Sequence, residues 1–458
     1  MGIRHSTASS NTFIATPYSS HGWTIQTKQH KIHTLQTVSY PWPMEIHANA
    51  HLTSADNIVL SILAEDVDGK AHLDGREIET SKDQAAMNVL AKISDEDSDE
   101  FQSSPFSSWD EEDLNAWFRV VIVKPYVAWA ERIVRRRADV VFLTHLGYYC
   151  ATIIPSAFYL YYRFSWPHAA CHWLLETYYA GPFTLLLHNH IHNNGLMVPK
   201  YAWLDHAFPY LLGALLGHTP NSYYYHHVKH HHVEENGPDD LSSTIRYQRD
   251  ELFDFLSYLG RFLALVWIEL PLYFFQRHKY ALAFKSLLSE ASSMAAMYWM
   301  AKYDFHPTLF VFLIPLIQMR IFMMVGNWGQ HALVDEIEPN SKFRSSITLI
   351  DSQSNRHCFN DGYHTSHHLN SHRHWRDHPA SFLRSKTQYQ AKGALVFQNI
   401  DYFSITYRLL RKDYNRLAQR LVPIGDQVGK SHEEIVRLLK AKTRRFTEEE
   451  IATRFGKA

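Results

Sequence analysis

The 458-residue sequence contains only three cysteines, Cys150, Cys171 and Cys358, widely spaced and with no CxxC pair. An odd, scattered set excludes a disulfide framework and a thiolate-built metal site, and it fits functional groups that face the cytosol. Charge is scarce as well. Charged residues make up 20% of the chain and the formal net charge is −1, so the basic footprint that nucleic-acid binding requires is missing. Met1 to Met44 holds no Asp or Glu, and no apolar run follows Met1 that could act as a cleaved secretory signal. Residues 1–44 read as a disordered tail. Their composition also permits an organellar transit peptide, and MGIRHS fits N-myristoylation. A C-terminal KDEL-type signal is absent.

What the chain has is histidine, 31 residues of it. Three clusters stand out: His188 and His192 in HNHIHNN; His227, His230 and His231 in YYYHHVKHHHVEENGPDD; His364, His367 and His368 in DGYHTSHH. On a helix, spacings of three and four put these imidazoles on one face, one turn apart. Eight such nitrogens are too many for one metal. The second cluster has other registers: His226 and His230 are an i, i+4 pair that gives HxxxHH, and His232 adds a third possibility. His190 lies about 200° round a helix from His188, which argues against it as a ligand. His226, His232, His357, His372, His374 and His378 flank the clusters and read as loop or supporting residues, and His145 as a hydrogen-bonded core histidine. Asp361 precedes His364 by three residues, and Asp239 and Asp240 follow the second cluster. Carboxylates so placed can accept the second ring N–H of a ligating histidine. The competing reading of the clusters is a structural zinc site or a fortuitous histidine-rich surface.

The organisation is that of a membrane protein. Residues 45–115 are acidic, with SDEDSDE and WDEED, and read as a solvated linker. Ala116 to Arg137 mixes Trp, Phe and Val with a basic end and resembles an interfacial helix. Val140 to Tyr162 then runs 23 residues without a charge, enough at about 1.5 Å per residue to cross a hydrocarbon core of about 30 Å. The arginines before it place the N-terminus in the cytosol. Pro167 to Leu187, interrupted only by Glu176, returns the chain to the cytosolic face at His188. Ala202 to Gly217 is short and carries Asp205, which fits an interfacial or re-entrant helix. Three apolar stretches follow, Tyr258–Phe275, Ala281–Ala301 and Phe305–Val325. Two of them must cross if the last cluster is to reach the face of the first two, and the basic QRHK at 276–279 selects the second and third, leaving the first in the interface. Residues 386–458 read as a soluble helical extension, with a capping box at Ser431–Glu434. The expected fold is an all-α integral membrane protein with about four transmembrane helices, a membrane domain over 116–385 and a cytosolic, histidine-rich di-metal cap.

Neutral imidazole suits iron, zinc, copper or nickel. Two metals held by eight or nine histidines at a membrane face, beside helices able to hold a hydrocarbon chain, point to redox activation of dioxygen against an unactivated C–H bond. HxxxH, HxxHH and HxxHH in that order, with spans between, resemble the three histidine boxes of membrane fatty acid desaturases, whose superfamily also includes hydroxylases. The resemblance covers roughly Val140 to Ser385. NWGQH also resembles the NxxxH of stearoyl-CoA-type desaturases, which implies His331 as a ninth ligand and Asn327 as a water-holding amide. Gly260 to Phe274 looks like the apolar segment that follows the second box in acyl-lipid desaturases. The resemblance implies two irons held by His188, His192, His227, His230, His231, His331, His364, His367 and His368, with Asp361 in support. It further implies dioxygen as co-substrate and a double bond formed between adjacent methylenes of a lipid chain. No HPGG haem motif occurs, so electrons come from a separate donor: cytochrome b5 and its reductase in the endoplasmic reticulum, or ferredoxin in a plastid. A hydroxylase on the same scaffold is the first alternative. A non-redox zinc protein, either a transporter or a lipid amidase, is the second, although the charge-free span speaks against a transporter.

Overall fold

The structure, a computed structural model, describes residues 53–68, 81–107 and 114–456. The tail over 1–44 and the WDEED motif lie outside these residues. The described chain is mostly helical, with one two-stranded parallel sheet. Inside the stretch read as linker stand two helices, α1 (Ser54–Asp68) and α2 (Ser81–Ser94). Thr53 starts α1 by accepting the Asp56 N–H, and Ala55, Val59, Ile62 and Leu63 form a buried stripe at helical spacing. Acidic residues are frequent in this stretch and mask that stripe.

Four long helices carry the apolar mass: α3 (Val140–Tyr162), α4 (Trp166–Asn193), α5 (Leu252–Gln276) and α6 (Tyr280–Tyr303). A fifth, α7 (Ile314–His331), completes a helical run that starts at Phe305. Tyr149 of α3 packs edge-on against Tyr179 and Phe183 of α4. Outward-facing side chains such as Phe158, Tyr178, Phe284 and Trp299 stay exposed, the pattern of a bundle whose solvent is lipid. Among the described residues, three helical runs are long and apolar enough to cross a membrane: Arg137–Tyr162, Leu252–Gln276 and Phe305–His331. The first and third coincide with expected spans. The second contains the stretch expected to lie in the interface, and α4 and α6, expected to cross, fall short of that measure. Polar residues explain the shortfall, since α4 ends in the first histidine cluster and α6 carries Lys285 and Glu290.

Past the bundle, β1 (Ile347–Ile350) leads into α8 (His364–Leu369), and β2 (Leu395–Gln398) pairs with β1 in parallel register, Ile347 opposite Leu395. Both strands are fully buried. α9 (Tyr402–Leu410) packs on α7 at Gly329, where a Cβ would collide with the Tyr402 carbonyl. α10 (His432–Ala441) begins at Ser431, which accepts the Glu434 N–H while Glu434 accepts the Ser431 N–H, the capping box read in the sequence. Ile435 and Leu439 of α10 share one apolar core with α5 and α7. The α1 and α2 helices close another core, around Tyr363, Phe382 and Tyr389.

Candidate metal centre

His188 and His192 lie one turn apart near the end of α4, their rings 4.7 Å from centre to centre. The helix stops at Asn194, which adopts a left-handed φ of 53° and closes the last turn. Tyr224–His231 forms a π-helix with i→i+5 hydrogen bonds. That wider turn decides which histidines share a face. An α-helix would align His227, His230 and His231, whereas here His227, His231 and His232 face the first and third clusters. The His230 Nε2 instead accepts the Leu241 N–H at 2.8 Å, and its ring packs on Tyr273. α8 keeps α-helical spacing, so His364, His367 and His368 all point inward and are buried.

Two nests of nitrogens result. In the first, the His232 Nε2 lies 3.1 Å from the His227 Nε2 and 2.9 Å from the His367 Nε2, and His188 and His192 close the ring. In the second, the His364 Nε2 lies 3.0 Å from both the His331 and the His368 Nε2, with His231 alongside. Burial, and then neighbouring histidines, push His227, His232, His364, His367 and His368 well below the usual imidazole range, so all five are neutral near pH 7. Neutral imidazoles converging in a buried space present lone pairs toward one another, which is unfavourable unless a proton or a cation lies between them. Nitrogens about 2.1 Å from a metal and at right angles to each other stand about 3.0 Å apart, so these separations fit metal ligation. Among the described residues, both ring nitrogens of buried His192 lack a hydrogen-bond partner, which fits the same geometry.

Outer partners set the tautomers. The His231 Nδ1–H donates to Asp240 Oδ2 at 2.7 Å, and Asp240 is itself held by the Ser242 N–H and hydroxyl and the Asn236 N–H. Burial opposes ionisation of Asp240, but contact with His231 prevails and holds the carboxyl well below its ordinary range. The His331 Nδ1–H donates to the Ser345 carbonyl at 3.0 Å. In both residues Nε2 is left free to ligate. His372 donates to the His192 carbonyl, and His378 meets the Ser366 hydroxyl.

The Asn327 amide donates to the Ser242 carbonyl and the Tyr258 hydroxyl, next to the Asp240 turn. Asp361 lines a polar cavity shared with His188, His364, His367 and His378, its carboxyl pushed up to about 7 by burial. His190 faces away, toward Asp205 and Phe208. His145 bonds the Phe106 carbonyl and the Tyr149 hydroxyl, and Glu176 lies 3.1 Å from His172 on its own helix. His226, His230 and Asp240 form a third close group, but Asp240 and the His230 Nε2 are already committed to other hydrogen bonds. Sequence spacing alone put His232 among the flanking residues. The HHxxHHH run contained the signal, in three overlapping registers that only the π-turn separates.

A family model described as fatty acid desaturase matches residues 164–399, just over half of the chain and the part that bears all three clusters. The chain belongs to the fatty acid desaturase family. Searches of curated proteins and of solved structures gave no match. Membership of this desaturase family brings oxidoreductase chemistry of desaturase or hydroxylase type on a lipid, and it agrees with a buried histidine cap next to membrane-length helices.

Proposed function

We propose that this chain is a membrane-bound di-iron lipid desaturase that uses dioxygen and electrons from a separate donor. The observation that carries the reading is the pair of converging, buried imidazole nests. The proposed ligands are His188, His192, His227, His232 and His367 around one metal, and His231, His331, His364 and His368 around the other. His232 replaces His230 in the set expected from spacing, and Asn327 and Asp361 are supporting groups. Iron bound there would supply, with dioxygen and two external electrons, the oxidising power to take hydrogen from an unactivated C–H bond. The protein's part is positional. Asp240 and the Ser345 carbonyl hold two imidazoles in the ligating tautomer, and burial keeps the others neutral and excludes bulk water.

Four crossings bring the three clusters to one face. Length and composition permit α5 to cross, but both of its ends are tied to the histidine layer. Near its start Tyr258 packs on Trp328 and receives the Asn327 amide, and near its end Tyr273 donates to Glu234. A helix tethered in this way runs along the interface, which leaves α3, α4, α6 and the Phe305–His331 run to cross. Positive residues before α3 put the histidine face in the cytosol, where cytochrome b5 and its reductase in the endoplasmic reticulum could deliver electrons. Residues 116–385 then form the catalytic membrane domain and 386–458 its cytosolic extension. The test is lipid mass spectrometry after expression of the full chain with cytochrome b5 and its reductase. A product lighter than a host lipid by two hydrogens is expected. A product heavier by one oxygen would make the chain a hydroxylase, and zinc without oxygen uptake in the purified protein would overturn the redox reading.

A further inference from the structure

A cavity opens between α5, α6, α7 and the Gly217–His226 stretch. It starts beside the first nest. Tyr223, one of its walls, lies 5.0 Å ring to ring from His227, with its hydroxyl 3.3 Å from the His188 Nδ1. One side is apolar, built from Phe262, Val266, Leu270 and Met323. Other lining residues are polar. Arg320 of α7 and Glu290 of α6 form an ion pair with Nη2 and Oε2 2.6 Å apart, and the other Glu290 oxygen accepts the Thr219 hydroxyl at 2.9 Å. Arg320 precedes His331 by eleven residues on one helix, so the pair sits about 16 Å below the histidine layer.

An ion pair whose only role was to join two helices would be better replaced by apolar packing, because desolvating both charges offsets much of their attraction. This pair also has unused capacity. Among the described residues the guanidinium, with five N–H groups, hydrogen-bonds only to Glu290, and the His218 Nε2 and both His226 ring nitrogens, on the same lining, are buried without hydrogen-bond partners. The pair is neutral overall, so an anion would meet the Glu290 carboxylate and a cation the Arg320 guanidinium. A hydroxyl meets neither objection, since it accepts from Arg320 and donates to Glu290 or Thr219.

Resting on the reading of this site as a lipid oxidation centre, the geometry points to a substrate whose hydrocarbon chain carries a hydroxyl group, lodged at Arg320 and Glu290 while a distant carbon of the same chain lies at the histidine nests. The pair is then a specificity determinant. A buried hydrogen bond to a charged group favours the hydroxylated chain by about tenfold or more over its plain analogue.

The test needs no turnover. The purified full chain is offered stearate and the series of positional hydroxystearates, each competing with a fluorescent fatty acid. One position is expected to bind at least tenfold more tightly than stearate, and that preference should collapse toward parity in a double variant, Glu290→Gln with Arg320→Met, which removes both charges together. Thr219→Val, a milder change, should reduce the preference in part. If no isomer binds more tightly than stearate, or if the double variant folds and keeps the preference, the inference is wrong. Lipid analysis of a host that expresses the full chain with cytochrome b5 and its reductase separates this inference from the redox reading: a binding preference with no oxidised product in that host would sink the redox reading and leave this one standing, and oxidised product without the preference would do the reverse.

Discussion

At the scale of single residues, the second cluster decides most. His232→Ala is expected to abolish product and lower bound metal, because its Nε2 lies between those of His227 and His367. His230→Ala should keep the metal and cost about 1–3 kcal/mol of stability, since the Leu241 N–H loses its acceptor. Metal analysis of the two purified variants separates them, and a metal-free His230→Ala beside a fully loaded His232→Ala would restore the register expected from α-helical spacing. Asp351 supplies a pH effect. Its carboxyl is pushed from 3.8 to about 8, first by burial and then by Asp56, and among the described residues neither of its oxygens has a hydrogen-bond partner. A raised folded-state pKa means that the native protein holds the proton more tightly than the unfolded chain. Stability from this group is therefore present below about pH 4 and drains away as pH rises toward 8. Asp351→Asn has no such loss, so it should match the wild type near pH 4 and exceed it by a few kcal/mol at pH 8, read from unfolding curves at both pH values.

At the scale of elements, the turn before α8 holds the third cluster in place. Gly362 lies where a Cβ would strike the Asn355 side-chain oxygen and the Leu349 carbonyl, and that Asn355 oxygen accepts the Gly362 N–H at 2.8 Å. Asn355 and Tyr363 in turn donate to Asp56 of α1. Gly362→Ala should therefore shift His364 and lower the metal content while the membrane helices still insert. A variant with full metal would show that the turn has slack. The capping box at Ser431 and the charge-free α3 could be read from the sequence because each depends on neighbours a few residues away. The π-turn at Tyr224–His231 could not, because nothing in its local sequence separates an i→i+4 from an i→i+5 ladder, and the choice rests on packing against α4 and α8. Helix α1 was hidden for a different reason: its partners Asn355 and Tyr363 lie some three hundred residues further along the chain.

At the scale of the whole molecule, the arrangement makes a topological claim. In a background with the three native cysteines replaced, a cysteine placed at Lys279 should react with a membrane-impermeant maleimide from the side of the histidine clusters, and one at Asp304 from the opposite side. Labelling of both from one side would mean that α6 does not cross. The sequence by itself determined the order and approximate spacing of three histidine clusters, the first membrane-length helix and the helical class, because each follows from local periodicity and composition. Tertiary structure alone decided which histidines converge, that the acidic segment docks through α1 beneath the third cluster, and that an ion pair stands in the cavity beside the nests. Those features depend on residues distant in the chain being brought within a few ångströms, and no local pattern encodes that distance.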